Sequence, residues 1–412
     1  MVLLMAQRQY QKGIYMRFTL GLILNAILFI LSWVIPKKSG TILCGGGMGT
    51  RFSGNPKYLF LHIHKLKQSG ENPFKEYHWI TKNNNLRQKL NVEGLPTIDG
   101  LSIYGFWKIL RSEFLIIESG PAMHKFGHDI GYQRLFMGRF KIVQTWHGSP
   151  SKRILLDALN DRKSRKWYEK IYYYLEKMEL KNLWLILAMG EREQKILQKA
   201  FANQRVEILG SAKNDYLLNG IKENQKRLFT QYDKVILYAP TFRETPSHYQ
   251  AFSDSFLTQL NNELAERNWI FLLKKHPFDI DLKLDKEYTN IKDVSIDFDD
   301  IQTLLIYTDL LITDYSSIYV DFLLTKKDII FYIYDYNEYQ IKSRGFYYDM
   351  FQNPSASIAK SQEELLDTIL KINSISISDN YTNAIKVFHK YTDANSSKRL
   401  IEYILDRKRG QN

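Results

Sequence analysis

Four short segments carry the side chains of this chain that could do chemistry, and each follows an apolar run. They are Thr145-Trp-His-Gly-Ser-Pro-Ser-Lys152, Ala239-Pro-Thr-Phe-Arg243, Leu273-Lys-Lys-His-Pro277 and Thr313-Asp-Tyr-Ser-Ser317. Each apolar run is predicted to be a buried strand. The polar groups then follow at the carboxyl edge of a parallel sheet, where α/β proteins bind ligands. Two histidines, several cations and hydroxyl groups at that edge suit a substrate with two adjacent phosphates.

His147 and His276 are the predicted catalytic residues. An imidazole at a strand end can accept a proton from an attacking hydroxyl near neutral pH, which is the role predicted for His147. His276 is expected to stabilise the charge that builds on the departing group, or to donate a proton to it. The alternatives are a hydrogen-bonded structural histidine in the first case and an ordinary charged surface loop in the second.

The predicted phosphate-binding residues offer positive charge, hydroxyl groups and backbone N–H groups. Ser316 and Ser317 precede a predicted helix whose N-terminus could bind an anion, although simple helix capping would also explain them. Asp314 is expected to orient this loop rather than to bind a metal, since cationic side chains could neutralise a diphosphate without magnesium. Neither a metal nor another cofactor is therefore predicted. The same face is expected to include Lys152, Thr241, Arg243 and Lys275.

The order of these segments resembles that of the CDP-glycerol glycerophosphotransferase family, the primases and polymerases of teichoic acid and related capsule synthesis. The resemblance covers most of the chain after about residue 40. The family motif His-Gly-x-Pro-x-Lys is matched by His147, Gly148, Pro150 and Lys152. Further matches are Lys275-His276-Pro277 and Asp314-Tyr-Ser-Ser317 followed by Asp321-Phe322.

One further family stretch, Gly-x-Pro-Arg-Asn-Asp, is matched with two differences. It corresponds to Gly210-Ser-Ala-Lys-Asn-Asp215, in which Ala212 and Lys213 replace Pro and Arg. The resemblance adds three residues to the predicted donor site: Lys213, Asn214 and Asp215.

The resemblance implies a GT-B arrangement and a transferase activity. Glycerol phosphate would pass from CDP-glycerol to a hydroxyl of a lipid-linked acceptor, an undecaprenyl-diphosphate-linked saccharide, with release of CMP. His147 would activate that hydroxyl for direct displacement at the β-phosphorus. CDP-ribitol as the donor is a related alternative. A non-catalytic, membrane-bound partner in a polymer-export assembly is the alternative from another class.

A glycine-rich loop offers one more alternative. Gly45-Gly-Gly-Met-Gly-Thr-Arg51, followed by Pro56-Lys57, resembles the signature with which sugar nucleotidylyltransferases hold a nucleoside triphosphate. No acidic metal ligands follow in a recognisable context, and the four segments above would stay unexplained. In the preferred interpretation this loop lies on the acceptor side of the site, with Gly47, Arg51 and Lys57 as candidate residues.

Short apolar runs that alternate with helical stretches predict two doubly wound α/β domains facing each other across a cleft. Residues 1–39 are predicted to be a membrane-associating segment, 40–205 a Rossmann-like acceptor domain, and 206–412 a Rossmann-like domain that binds the CDP-polyol donor. Tyr58-Leu-Phe is among the predicted strands of the first series, and Val206-Glu-Ile-Leu is predicted to open the second.

Composition restricts the choice of partners. The formal net charge of +13 calls for an acidic partner. No zinc-finger spacing, RNP-type aromatic string or basic-zipper pattern is present, so nucleic acid is not predicted. Cys44 is the single cysteine, which excludes an internal disulfide and fits a reducing compartment. The oligomeric state stays open.

Two segments indicate an anionic membrane surface as a partner. Phe18 to Ile35 is largely apolar, and a helix of that length spans about 27 Å, the lower limit for crossing a bilayer. Basic residues flank it on both sides and give no orientation, so a shallow or re-entrant helix is favoured over a span. Arg162 to Lys181 interleaves basic and aromatic residues, as membrane-surface helices do, although an ordinary packed helix is the alternative. We expect a peripheral or monotopic protein at the cytoplasmic face of the cell membrane.

Overall fold

The computed structural model describes residues 27, 30–119, 139–160, 167–222, 228–241, 243, 251–275, 284, 286–342, 345–351, 356–372 and 378–409. The chain divides into two compact units. The first unit comprises Met1–Trp146, Lys163–Ile186 and Phe201–Val206, and the second comprises His147–Arg162, Leu187–Ala200 and Glu207–Asn412. The chain therefore passes between the units several times, whereas the sequence predicted a single boundary between the two α/β domains, after residue 205. The segment that begins with His147 belongs to the second unit.

The first sheet is parallel and doubly wound. Its strands are β1 (Thr41–Cys44), β2 (Glu76–Thr81), β3 (Thr97–Asp99), β4 (Phe114–Ile117), β5 (Lys141–Gln144), β6 (Leu185–Ala188) and β7 (Val206–Ile208). They lie in the order β3-β2-β1-β4-β5-β6-β7, and the pairs from β3 to β6 are parallel. The strand order reverses between β1 and β4, which is the topological switch point.

The second sheet repeats this topology with six strands. They are β8 (Lys234–Tyr238), β9 (Trp269–Leu273), β10 (Ile291–Asp293), β11 (Leu310–Thr313), β12 (Asp328–Tyr332) and β13 (Ser357–Ala359). Their order is β10-β9-β8-β11-β12-β13, and every pair is parallel. The switch point lies between β8 and β11, so their carboxyl ends are the expected place for a ligand.

Helices connect most of these strands, and several begin at a serine that accepts a backbone N–H. Ser102, Ser253, Ser361 and Ser378 each accept one from the residue three positions further on. The described helices are α1 (Gly54–Gln68), α2 (Asn84–Val92), α3 (Ile103–Arg111), α4 (Leu155–Asn160), α5 (Trp167–Asn182), α6 (Glu191–Ala200), α7 (Ala212–Lys222), α8 (Asp254–Glu266), α9 (Ile301–Tyr307), α10 (Ile318–Phe322), α11 (Tyr336–Lys342), α12 (Gln362–Lys371), α13 (Asp379–Phe388) and α14 (Ser396–Arg409).

The strands of the second sheet are buried on both faces. Ile236 and Ile312 enter one apolar cluster, whereas their neighbours Leu237 and Leu311 enter another. Successive strand residues point to opposite faces, so two clusters mean that helices cover both sides of the sheet. This explains why the strands read as continuous apolar runs in the sequence.

Two predicted strands were misplaced. Tyr58 to Phe60 lies inside α1, where Tyr58, Leu59 and Phe60 are all buried. A short apolar run does not distinguish a buried helix from a buried strand, and Pro56 fits the first turn of a helix. β7, which begins at Val206, is the edge strand of the first sheet rather than the start of the second series.

The predicted N-terminal membrane segment, Phe18 to Ile35, lies mostly outside the described residues. Among the helices that the structure describes, none is long and apolar enough to cross a membrane. The basic, aromatic stretch predicted to be a helix contains α5.

Candidate active site

The His147 segment packs against the segment that follows β11. Gly148 makes this approach possible, because a Cβ atom at that position would lie 2.6 Å from Ser317 Oγ. Ser151 Oγ donates to the backbone oxygen of Tyr315 over 3.3 Å. The first and fourth of the chemical segments are therefore neighbours in the second unit.

The backbone at Ser151 and Lys152 pairs with a third segment of this unit, at Phe346 and Tyr347. Tyr347 N donates to Ser151 O (2.9 Å), and Lys152 forms an isolated antiparallel bridge with Phe346. The Lys152 ammonium lies 5.0 Å from the ring centroid of Tyr339. The cation thus lies on an aromatic surface, and the same ring stacks on Tyr315 at 4.0 Å.

Lys213 connects the His147 segment to α10. Its ammonium donates to the backbone oxygen of His147 (3.1 Å) and forms an ion pair with Asp321 Oδ2 (2.5 Å). The side chains of Lys213 and Asp321 are 8% and 4% exposed, so water screens this pair little. Lys213 was predicted to bind the donor, and the structure gives it partners that hold His147 in place.

The two residues after Lys213, Asn214 and Asp215, differ in their hydrogen bonds. Both oxygens of Asp215 accept backbone N–H groups, from Ser396 (2.8 Å) and Ser397 (2.7 Å), at the start of α14. A carboxylate there satisfies unpaired N–H groups and complements the helix dipole, so Asp215 acts as a helix cap. Asn214 Oδ1 is buried and has no hydrogen-bond partner among the described residues.

Asp314 orders the switch point of the second sheet. Its Oδ1 accepts from Thr241 N (2.8 Å) and from Tyr315 N (2.6 Å), and its Oδ2 lies 2.8 Å from Arg243 Nη1. Arg243 also forms a two-pronged pair with Asp335, at 2.8 and 3.1 Å. Burial alone would lower the pKa of Arg243, but the two carboxylates raise it by more than burial lowers it. The pKa therefore lies above its usual value, and the guanidinium stays charged. Thr241 Oγ1 is buried and has no hydrogen-bond partner among the described residues.

The remaining predicted donor residues are less closely connected. Lys275 Nζ lies 2.6 Å from Asp293 Oδ2. Ser316 Oγ accepts from Ile318 N at 3.4 Å, and Ser317 makes no side-chain cap to α10. His276 lies outside the described residues.

A family model described as CDP-glycerol:poly(glycerophosphate) glycerophosphotransferase matches residues 27–406. The chain belongs to this family. The family predicted from the four segments is thereby confirmed, as is the prediction that the chain is a glycerophosphotransferase.

Curated relatives of this glycerophosphotransferase act on teichoic acids. It is 29% identical over 378 residues to the teichoic acid glycerol-phosphate transferase of Staphylococcus aureus, covering 86% of this chain and 90% of that protein. It is 27% identical over 370 residues to a teichoic acid poly(glycerol phosphate) polymerase of Bacillus subtilis, where it spans 46% of the relative's length. The Staphylococcus aureus ribitol-phosphate polymerase TarL is 25% identical over 389 residues, 89% of this chain and 62% of that protein.

A solved structure of the wall teichoic acid polymerase TagF has the same fold. Its TM-score is 0.71 at 21% identity, and the match covers 97% of this chain and 99% of that one. At this identity the likeness supports the α/β fold with parallel sheets and no more.

In this glycerophosphotransferase the glycine-rich loop surrounds a carboxylate. Gly47, in the left-handed region with φ of 54°, donates its N–H to Glu118 Oε1 (2.9 Å), and a Cβ atom on Gly54 would overlap the Glu118 carboxylate. The Glu118 carboxyl already accepts a backbone N–H of the loop, where a nucleotidylyltransferase would hold a phosphate, which argues against the nucleotidylyltransferase alternative. Of the other candidate acceptor-side residues, Lys57 Nζ lies 4.8 Å from the ring centroid of Tyr58, and Arg51 packs its Cβ close to Gly47.

A residue just after this loop, Asn55, supports the end of β5. Asn55 Nδ2 donates to the backbone oxygens of Thr145 (3.2 Å) and Trp146 (2.9 Å). Asn55 therefore holds the residue directly before His147. The sequence analysis gave this asparagine no role.

Two buried acids of the second unit were missed. Asp335 follows β12 and pairs with Arg243, and only the strand order places it there. Glu193, in α6, accepts from Met189 N at 2.6 Å. Burial raises the pKa of Glu193 to about 7; Asp321 adds to the rise, while the Met189 hydrogen bond and Lys213 oppose it.

The raised pKa of Glu193 predicts that stability falls as pH rises. The unfolded carboxyl releases its proton near 4.5 and the folded one near 7, so the loss accumulates between these values and then levels off. The difference corresponds to about 3 kcal/mol. We expect Glu193→Gln to remove this fall when urea unfolding is measured at pH 5 and pH 8. An equal fall in the variant would contradict the assignment to Glu193.

Proposed function

We propose that this protein transfers glycerol phosphate from CDP-glycerol to a hydroxyl of a lipid-linked acceptor and releases CMP. The observation that carries the proposal is the packing of the His147 segment against the Asp314–Ser317 segment in a member of the glycerophosphotransferase family. The proposed acceptor is an undecaprenyl-diphosphate-linked saccharide.

In the proposed reaction His147 removes the proton of the acceptor hydroxyl. The hydroxyl oxygen then attacks the β-phosphorus, the bond from that phosphorus to the bridging oxygen breaks, and CMP leaves with the electron pair. His276 is proposed to offset the charge on the departing CMP. The phosphodiester formed joins the acceptor to glycerol.

Groups at the second sheet's switch point are proposed to bind the diphosphate. Thr241 Oγ1 is a buried donor without a described partner, and such a group costs free energy unless a ligand satisfies it. Arg243 is balanced by Asp314 and Asp335 and therefore orders the loop more than it adds net charge. Ser316, Ser317, Lys152 and Lys275 are proposed to supply the remaining hydroxyls and cations.

We propose that the two units divide the work as the two domains of a GT-B enzyme do, one for the donor and one for the acceptor. The second unit supports the donor role, since it contains both the His147 segment and the switch point at Asp314. The first unit is proposed to receive the acceptor.

The proposed location is the cytoplasmic face of the cell membrane. CDP-linked donors are cytoplasmic and the proposed acceptor is anchored in lipid. The net charge of +13 favours an anionic surface.

The test is release of CMP from CDP-glycerol in the presence of a lipid-linked acceptor. We expect release that requires the acceptor and persists after exhaustive chelation of divalent metals. Release from CDP-ribitol alone would favour the ribitol alternative. No release from either donor would favour a non-catalytic role. A loss on chelation that magnesium restores would overturn the prediction of metal-free chemistry.

A further inference from the structure

Trp146, the residue directly before His147, has a backbone conformation that L-residues rarely adopt. Its φ is 53°, in the left-handed region. This conformation brings Cβ close to the following carbonyl oxygen, so it costs free energy, most of all for a bulky side chain. Ala202 and Asn268 share it, but each follows the end of a helix, where a left-handed residue is ordinary. Trp146 follows the strand β5, so no helix cap explains its φ.

Two buried amide side chains supply hydrogen-bond partners for the backbone of Trp146. Trp146 N donates to Gln144 Oε1 (2.9 Å), and Trp146 O accepts from Asn55 Nδ2 (2.9 Å). Gln144 is itself held, because its Nε2 donates to the backbone oxygen of Ser119 (2.9 Å). Asn55 and Gln144 are 3% and 0% exposed. Since buried N–H and C=O groups need partners, these two amides allow the chain to turn out of the sheet at Trp146.

The indole ring of Trp146 is fixed as well. Its centroid lies 5.3 Å from that of Phe201, and the two rings meet edge to face at 84°. Both side chains are buried. The burial of a large aromatic side chain offsets the free energy that the left-handed backbone costs. Trp146 is therefore held at its N–H group, at its carbonyl oxygen and at its ring.

This fixed peptide determines where the side chain of His147 leaves the sheet. Residues 142–146 are buried, whereas His147 is exposed. The backbone oxygen of His147 accepts from Lys213 Nζ (3.1 Å), so the peptide groups on both sides of its Cα atom are held. The imidazole is then left with its own side-chain torsions. A strained backbone that its surroundings fix from several sides is typical of a pre-organised reacting group.

We infer that Trp146, Asn55 and Gln144 are positioning residues, which hold the imidazole of His147 in the direction that proton transfer needs. The inference rests on the proposed function, because it takes His147 as the base. The three residues act through His147 and not on the donor, so the affinity for the donor should not depend on them. The sequence analysis gave none of the three a role.

The kinetic experiment compares Asn55→Ala with the matched control Asn203→Ala. Asn203 is also a buried amide, and its Nδ2 donates to the backbone oxygens of Leu180 (2.8 Å) and Leu183 (3.1 Å). We expect kcat of Asn55→Ala to fall about 10–100-fold, since a misplacement of about 1 Å can cost roughly a hundredfold in rate. KM for CDP-glycerol should change by less than about twofold. Asn203→Ala should lose stability in urea and keep its kcat.

A double variant tests whether Asn55 acts through His147. When Asn55→Ala is added to His147→Ala, the residual rate should not fall further, because the group that Asn55 positions is already absent.

An NMR measurement tests the placement of the imidazole without turnover. The Cε1–Hε1 signal of His147 is identified by its loss in His147→Ala. It should shift in Asn55→Ala and in Gln144→Met, and it should keep its position in Asn203→Ala. Gln144→Met removes the acceptor of the Trp146 N–H group and keeps a side chain of similar length. It therefore tests the same inference if Asn55→Ala does not fold.

The left-handed backbone is tested by two substitutions of Trp146 itself. Both remove the ring, but glycine adopts a positive φ at little cost and alanine does not. Trp146→Gly should therefore unfold at a higher urea concentration than Trp146→Ala. The opposite order would show that the backbone at this position is not strained, and the inference would lose its basis.

The outcomes separate this inference from the proposed function. An unchanged His147 signal in Asn55→Ala and Gln144→Met, or an equal loss of kcat in Asn203→Ala, would overturn the inference. So would a further loss of rate when Asn55→Ala is added to His147→Ala. If the unaltered protein released no CMP from either donor, the proposed function would fail. The NMR comparison would then still decide whether these residues place the imidazole.

Discussion

Replacement of His147 by alanine is expected to slow the transfer of glycerol phosphate by about 10²–10⁴-fold, the contribution typical of a general base. His147 is exposed at the start of the second unit, so its side chain contributes little to the core. The variant keeps the backbone oxygen that accepts from Lys213, and the local fold should therefore survive. CMP release and urea unfolding of the same preparation would measure both effects.

His64→Ala provides the control for the loss of a histidine as such. His64 lies in α1 of the first unit, where its ring is within hydrogen-bond distance of Tyr77 and Gln68. We expect a nearly unchanged rate for that variant. His276→Ala should lose activity as His147→Ala does. If folded His147→Ala turned over normally, His147 would have no part in proton transfer.

The second large effect is expected from Lys213→Met. The change leaves the buried carboxylate of Asp321 without its cation, which typically destabilises a protein by about 3–5 kcal/mol. It also removes the donor to the backbone oxygen of His147, so the rate should fall as well. Lys213→Arg keeps a cation, as the matched family motif does, and should restore most of both properties.

A double variant separates the two effects of Lys213. Lys213→Met/Asp321→Asn removes the unpaired charge and should recover much of the stability, but the rate should stay low because His147 is still unsupported. Lys327→Met is the matched control, since Lys327 Nζ donates to the backbone oxygen of Thr308 and lies 3.3 Å from Asp309 Oδ1. It should lose stability and keep its rate. Full recovery of the rate in the double variant would show that Lys213 acts only on stability.

Hydropathy along the sequence detected contiguous apolar segments but missed the exposed apolar side chains of α3. Hydropathy drew attention to Phe18–Ile35 and to the basic, aromatic stretch, because both are contiguous in the chain. Ile103, Tyr104 and Trp107 gave no such signal, since half of α3 is an ordinary buried face with Ile109 and Leu110 in the core. Only the folded structure shows which half of α3 is exposed.

The sequence by itself determined the family, the strand-rich α/β architecture and the segments that carry the chemistry. Strands buried on both faces are continuous apolar runs, and the polar groups after them are adjacent in the chain. A run as short as Tyr58–Phe60 is too short to show whether its apolar residues recur at helix or strand spacing. For that reason it was assigned to a strand instead of α1.

Only the tertiary structure decided which of the polar side chains bind one another. Asp321 is 108 residues from Lys213, and Asp335 is 92 residues from Arg243. Glu118 enters the glycine-rich loop 71 residues beyond Gly47. These partners are set by the order of the strands in each sheet. That order results from the packing of whole domains, which no local pattern of residues encodes.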